Sequence, residues 1–340
     1  MGRGWAAIAV LLALGACKGG GTDQPYVESR APANLGARFY PPENWAWGLV
    51  QVGDAPAQRY GVSAPQTAIR AQILVLPDYG ETAETWFETA SDLNDLGYSV
   101  WVLDGAGQGG SGRLTDPRDL GYARSFDPDL AGVQAMVSTV IRPTARAPLI
   151  ILGQGVGGMI AVRAAARGVP AGGLILSSPH LDGLPGGADS GLSLVLAGKR
   201  RASGAHPWRR DGRDEFLDGE THDPWRGRTT HLWQTANPDL RMGGPSTAWV
   251  TAFNVSAGQA RKGLKDLAVP TLVLEGALAG GCRTIPHCRP VGLPDGGRSL
   301  ELERDAVRSQ WLTAIDAFVR LRTAPPPGRL TTLSKPPRAL

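Results

Sequence analysis

Five short apolar runs punctuate the chain, at 73–76, 99–103, 149–152, 173–176 and 271–274. Each is the length of a strand and carries almost no polar alternation, the pattern of strands buried on both faces. Between and after them, 84–96, 156–166 and 301–321 repeat apolar residues at helical spacing. In the last of these the repeat is Leu302, Val307, Trp311, Ile315 and Phe318, which reads as core packing. Apolar strands alternating with amphipathic helices predict an α/β fold with a mostly parallel central sheet flanked by helices.

The rhythm fails over 184–245, a stretch rich in Arg, Gly and Trp that includes Trp208, Trp225 and Trp233. This segment is expected to be a lid inserted over the carboxyl edge of the sheet. Residues 17–44 begin Lys-Gly-Gly-Gly after Cys17 and run through Pro25, Pro32, Pro41 and Pro42, so they are expected to be a flexible tether. The Pro-rich tail 323–340 is expected to be disordered. One domain, 45–322, lies between, without internal repeats.

With 42% hydrophobic and 19% charged residues, the 340-residue chain is ordinarily globular. Its net charge of +4 comes from cations spread along the chain, which argues against a nucleic-acid partner. Arg3 followed by the apolar run 5–14 reads as a secretory leader, too short to span a bilayer. It ends Leu14-Gly15-Ala16-Cys17, which resembles the lipobox of bacterial lipoproteins. That resemblance implies a leader over 1–16, acylation of Cys17, and a membrane-anchored protein of the bacterial envelope facing the periplasm; an ordinary leader with a chance cysteine is the alternative. Cys282 and Cys288 then remain as an even pair suited to an oxidising compartment, and a disulfide between them would contribute about 2 kcal/mol by the chain-entropy model. His287 beside Cys288 leaves a zinc site short of a fourth ligand.

Several segments, in order and spacing, resemble the α/β-hydrolase family of monoacylglycerol lipases and lysophospholipases, the serine aminopeptidase-like group. They are Leu76-Pro77-Asp78-Tyr79-Gly80-Glu81, 97–104, Gly107-Gln108-Gly109-Gly110-Ser111-Gly112, Gly153 to Gly158, and Leu176-Ser177-Ser178-Pro179. The resemblance implies the α/β-hydrolase fold and carboxylic-ester hydrolysis by a Ser-Asp-His triad, with oxyanion donors on the backbone of Tyr79 and Val156.

The residues depart from that pattern at each catalytic role. The nucleophile position of the G-x-S-x-G-G elbow is Gly155, which offers no hydroxyl to activate. The acid position falls at Ala279, in a Gly-Ala-rich stretch without a carboxylate, and the connection from Glu275 to Cys288 is near the minimum for a parallel crossover. The base position falls at Ser299; none of His180, His206, His222, His231 and His287 lies in that loop. Asp78 replaces a glycine beside the first oxyanion donor, where a carboxylate opposes developing negative charge. Loss of a nucleophile alone costs about a million-fold in a serine protease, so a pseudo-hydrolase is expected, with a ligand-binding or scaffold role toward a small lipid or acyl ligand. No cofactor is expected, and no protein partner is identified.

Two other readings remain. Gly153, Gly155 and Gly158 spell G-x-G-x-x-G after a strand, yet the next strand ends Ser177-Ser178-Pro179 without the acidic residue that a dinucleotide site needs. A relocated active site would use Ser111, Ser177 or Ser178 with His180 as base.

Overall fold

The computed structural model describes residues 24–33, 35–188, 191–211, 219–276 and 282–323. Eight strands form one open sheet: β1 (Ala46–Val50), β2 (Gln58–Ser63), β3 (Ala71–Leu76), β4 (Tyr98–Leu103), β5 (Leu149–Gln154), β6 (Gly173–Ser177), β7 (Thr271–Glu275) and β8 (Cys288–Gly292). Their order is β1-β2-β4-β3-β5-β6-β7-β8, with β2 antiparallel to β1 and β4 and every other pair parallel.

The central strands explain their own lack of alternation. Along β3, Leu74 and Leu76 face one core while Ala71, Ile73 and Val75 face the other; β5 splits the same way between Leu149 and Ile151 and Ile150 and Leu152. Successive side chains point to opposite faces, so a strand covered on both sides must be apolar throughout. The helices are α1 (Phe87–Asp95), α2 (Asp127–Ala135), α3 (Val156–Ala166), α4 (Gly191–Ala197), α5 (Pro224–Gly227), α6 (Thr229–Ala236), α7 (Thr247–Gly263) and α8 (Asp305–Thr323). α1 and α8 cover one face, with Ala90, Leu93, Trp311, Ile315 and Phe318 buried; α2, α3 and α7 cover the other.

The expected tether is corrected from residue 24 onward. Tyr26 N–H donates to Gly110 O at 2.7 Å and its hydroxyl to Asn237 Oδ1 at 2.8 Å. Leu35 and Phe39 are buried in a small cluster with Phe87, Trp233 and Leu240. Apolar residues spaced without period give no helix or strand signal, yet each can still fill a slot in a core built elsewhere. The last helix begins at Asp305 instead of 301, because Leu300–Leu302 form a separate 3-10 turn. Cys17, Ala279 and the tail from 324 lie outside the described residues.

Candidate functional site

β5 ends at Gln154 and α3 begins at Val156, so a single residue makes the reversal. That residue, Gly155, sits at φ 49° and ψ −113°, a conformation that carries strain for any side-chain-bearing residue. The turn also drives α3 against the end of β3, where a Cβ on Gly157 would overlap the carbonyl oxygen of Leu76. Gly155 N–H donates to Ser177 O at 3.1 Å, and its carbonyl accepts from His180 N–H at 2.9 Å, which ties the elbow to the end of β6.

Two backbone N–H groups converge above this elbow, and a side chain of the protein fills the place between them. Tyr79 N–H at 2.7 Å and Val156 N–H at 2.8 Å both donate to Oδ1 of Asp78. A Cβ on Gly155 would overlap the same carboxyl group, including its carbon and both oxygens. Asp78 therefore occupies both the anion hole and the space that a nucleophile side chain needs. It points inward, with its side chain 15% exposed, and His180 Nδ1 lies 3.9 Å from Oδ1. Charge-assisted bonds from two amides, one of them at the N-terminus of α3, make this a stable seat for a carboxylate.

Behind Asp78 the negative charge continues inward. Glu81 Oε2 accepts from the Asp78 amide at 3.0 Å and from Trp86 Nε1 at 3.1 Å. Burial, reinforced by the charge of Asp78, pushes Glu81 up to about 7. Glu301 is 2% exposed and no donor among the described residues reaches either of its oxygens; it lies beside Glu81. Burial and then the Glu81 charge raise Glu301 well above the usual carboxylate range. Neither Glu301 nor the inward turn of Asp78 was evident in the sequence. Glu301 there belongs to a helix start, and a side chain's direction is decided by neighbours far along the chain.

The loops after β7 and before α8 are held by the protein's own contacts. No helix separates β7 from β8 among the described residues, and Cys282 is joined to Cys288 with their Cα atoms 5.5 Å apart. Ser299 is buried, and its hydroxyl donates to Glu220 Oε2 at 3.2 Å. Residues 219–222 from the inserted segment lie against this loop as a strap. Arg298 N–H donates to Gly219 O at 3.0 Å, Ser299 N–H to Glu220 O at 2.8 Å, and Thr221 Oγ1 to Leu302 O at 2.6 Å. His222 Nδ1 lies 2.8 Å from Oε1 of the fully buried Glu303. Burial alone would raise Glu303, but the N–H groups of Gly297, Arg304 and His222 outweigh it and hold the carboxylate below its usual range. A bond from Gln154 Nε2 to Arg298 O, 2.9 Å, connects this loop to the elbow.

Of the alternative serines, Ser111 is buried and bonded to Asp104 O and the Arg59 amide. Ser177 is also buried, and its hydroxyl accepts from Trp311 Nε1 at 3.2 Å. Ser178 differs: its φ is 41°, and its buried hydroxyl has no partner among the described residues. At the glycine-rich turn Val156 N–H is already committed to Asp78, so an incoming pyrophosphate would find its seat taken.

An open, mostly parallel eight-stranded sheet with a one-residue strand-to-helix elbow at its carboxyl edge defines an α/β-hydrolase fold. The profile of the family "Serine aminopeptidase, S33" matches residues 67–278, and the chain belongs to that family. It is similar to Lysophospholipase L2 of Escherichia coli, with 26% identity over 295 residues that cover 76% of this chain and 83% of the relative. A probable lysophospholipase L2 of Haemophilus influenzae is 22% identical over 281 residues, 76% of this chain and 87% of the relative. Among solved structures, the monoglyceride lipase of Saccharomyces cerevisiae shares the fold at a TM-score of 0.61 and 16% identity, over 83% of this chain and 97% of its own. A thermostable carboxyl esterase of Bacillus coagulans does so at 0.59 and 16%, over 83% and 100%.

Proposed function

We propose that this protein is a non-hydrolytic member of its family, a lipid-anchored protein of the bacterial envelope that binds a small acyl lipid or serves as a scaffold. The observation that carries this reading is the Asp78 carboxylate seated between Tyr79 N–H and Val156 N–H, directly over Gly155. An ester carbonyl needs those donors free and a nucleophile below it. Here the donors hold a resident anion and the elbow has no side chain. The acyl-lipid class follows from the relatives, two of which are named as a lysophospholipase and a monoglyceride lipase.

A second reading, ester hydrolysis by a relocated serine, is favoured by one feature: the left-handed backbone and orphan hydroxyl of Ser178, two residues before His180. Turnover of short and long p-nitrophenyl esters and of monoacylglycerol separates the two. The purified protein is compared with a Ser177→Ala, Ser178→Ala double variant. Rates at the buffer blank for both support the non-hydrolytic reading; activity that the double variant loses overturns it.

A further inference from the structure

The inserted segment presents a surface that the elbow does not explain. On α4, Leu192, Val195 and Leu196 are 69%, 82% and 74% exposed. Spaced i, i+3 and i+4, they share one helical face, and a row of bare aliphatic side chains on a helix marks a contact surface. The helix is nonetheless fastened at its end. Gly198 O accepts from Ala248 N–H at 3.0 Å, Arg200 O accepts from Thr247 N–H at 2.8 Å, and Arg201 pairs with Asp119 at 2.7 Å. Directly after the apolar face come Lys199 and Arg200, both exposed.

The amino-terminal chain is joined through Arg118 and Asp119 to Arg201, just beyond this helix. Gln24 O accepts from the Arg118 guanidinium at 3.4 Å, and Arg118 is the neighbour of Asp119, which holds Arg201. Only six residues lie between Cys17 and Gln24, and the seven steps from one to the other reach at most about 25 Å. An acyl group on Cys17 therefore keeps this end of the molecule at the bilayer.

We propose that α4 with Lys199 and Arg200 is a second membrane-contact surface, which inserts its aliphatic face among the acyl chains of an anionic phospholipid bilayer and sets its cations among the headgroups. Aliphatic side chains beside cations match the interface of such a bilayer, where each signal alone is weak and the two together hold. A bilayer is favoured over a protein partner because the tether ends here and the flanking charge is positive. The tether part of this argument rests on the lipid-anchor reading; the helix part does not.

The test uses the chain from residue 18 onward, which keeps every described residue and cannot be acylated. Its sedimentation is measured with vesicles of phosphatidylcholine alone and of phosphatidylcholine mixed with phosphatidylglycerol. Binding is expected to the mixed vesicles and to fall at least about tenfold in a Leu192→Asp, Val195→Asp, Leu196→Asp variant with an unchanged melting temperature. Lys199→Glu, Arg200→Glu is expected to remove the preference for phosphatidylglycerol. Equal binding by the triple variant overturns the proposal, as does a wild type that ignores vesicles. So does a wild-type dimer that the triple variant turns into a monomer, which would assign the face to a second copy. A separate mass measurement on the full-length protein tests the anchor. An unmodified Cys17 with intact vesicle binding would remove the anchor reading and leave the helix surface standing.

Discussion

The elbow and the loop around Ser299 are both occupied by the protein's own groups, but in different ways. At the elbow the backbone makes a one-residue reversal and aims two N–H groups at one point, which the Asp78 carboxyl occupies. Around β7 and β8, Cys282 is joined to Cys288, and residues 219–222 lie as a strap over the loop that carries Ser299. A site altered by two mutually dependent side chains can be probed by reversing them. Exchanging them leaves the Ser299 loop as it is, so a serine at the elbow is expected to bring no chemistry.

The largest effect is expected at Gly155→Ser. Strain at φ 49° and overlap with Asp78 together should lower stability by roughly 4 kcal/mol. Adding Asp78→Gly removes the overlap and should recover part of that loss, a coupling above about 1 kcal/mol in a double-mutant cycle, with ester turnover absent in every variant. Strictly additive melting data would break the link between the two positions.

Next comes the carboxyl pair behind Asp78. A carboxyl raised in the native state keeps a proton that the unfolded chain has already released, so its contribution is full below about pH 4.3 and declines as pH rises toward the native value, then levels. For Glu81, raised to about 7, that decline is on the order of 3 kcal/mol. Glu301→Gln replaces this raised carboxyl with an amide, which carries no charge to titrate and can donate to Glu81. The variant should match wild type near pH 5 and exceed it by about 2 kcal/mol at pH 8 in urea unfolding; parallel pH curves would mean that Glu301 is not raised in the native state.

Around β7 and β8, Cys282→Ser with Cys288→Ser should cost about 2 kcal/mol, measured by chemical denaturation in the absence of reductant. The smallest effect is assigned to His222→Ala, about 1 kcal/mol, because Glu303 keeps the amides of Gly297, Arg304 and residue 222. Its signature is faster amide exchange confined to the strap at 219–222; unchanged exchange there would show that the strap does not depend on the His222 side chain.

How much of this was legible in the sequence follows from where each signal comes from. The inner strands announce themselves because two covered faces demand continuous apolar residues, as at 73–76 and 149–152. The outer strands β1, β2 and β8 do not. Arg289 and Pro290 on β8 face solvent, and β1 mixes exposed with buried positions. Gly155 was readable because the elbow pattern is local in the chain. Asp78 was readable as a misplaced charge but not as the occupant of the hole, since Val156 lies 78 residues away. His222 and Glu301 gave no warning, because their partners come from distant segments joined only by folding.

The most direct test of the central claim is intact-mass analysis of the full chain after exposure to a long-chain fluorophosphonate, which adds covalently to an activated serine and to little else. The account predicts no mass added by the reagent, since Gly155 has no hydroxyl and Ser177 is buried against Trp311. A stoichiometric adduct mapped to Ser178, and lost with Ser178→Ala, would contradict it and establish a working nucleophile at the end of β6.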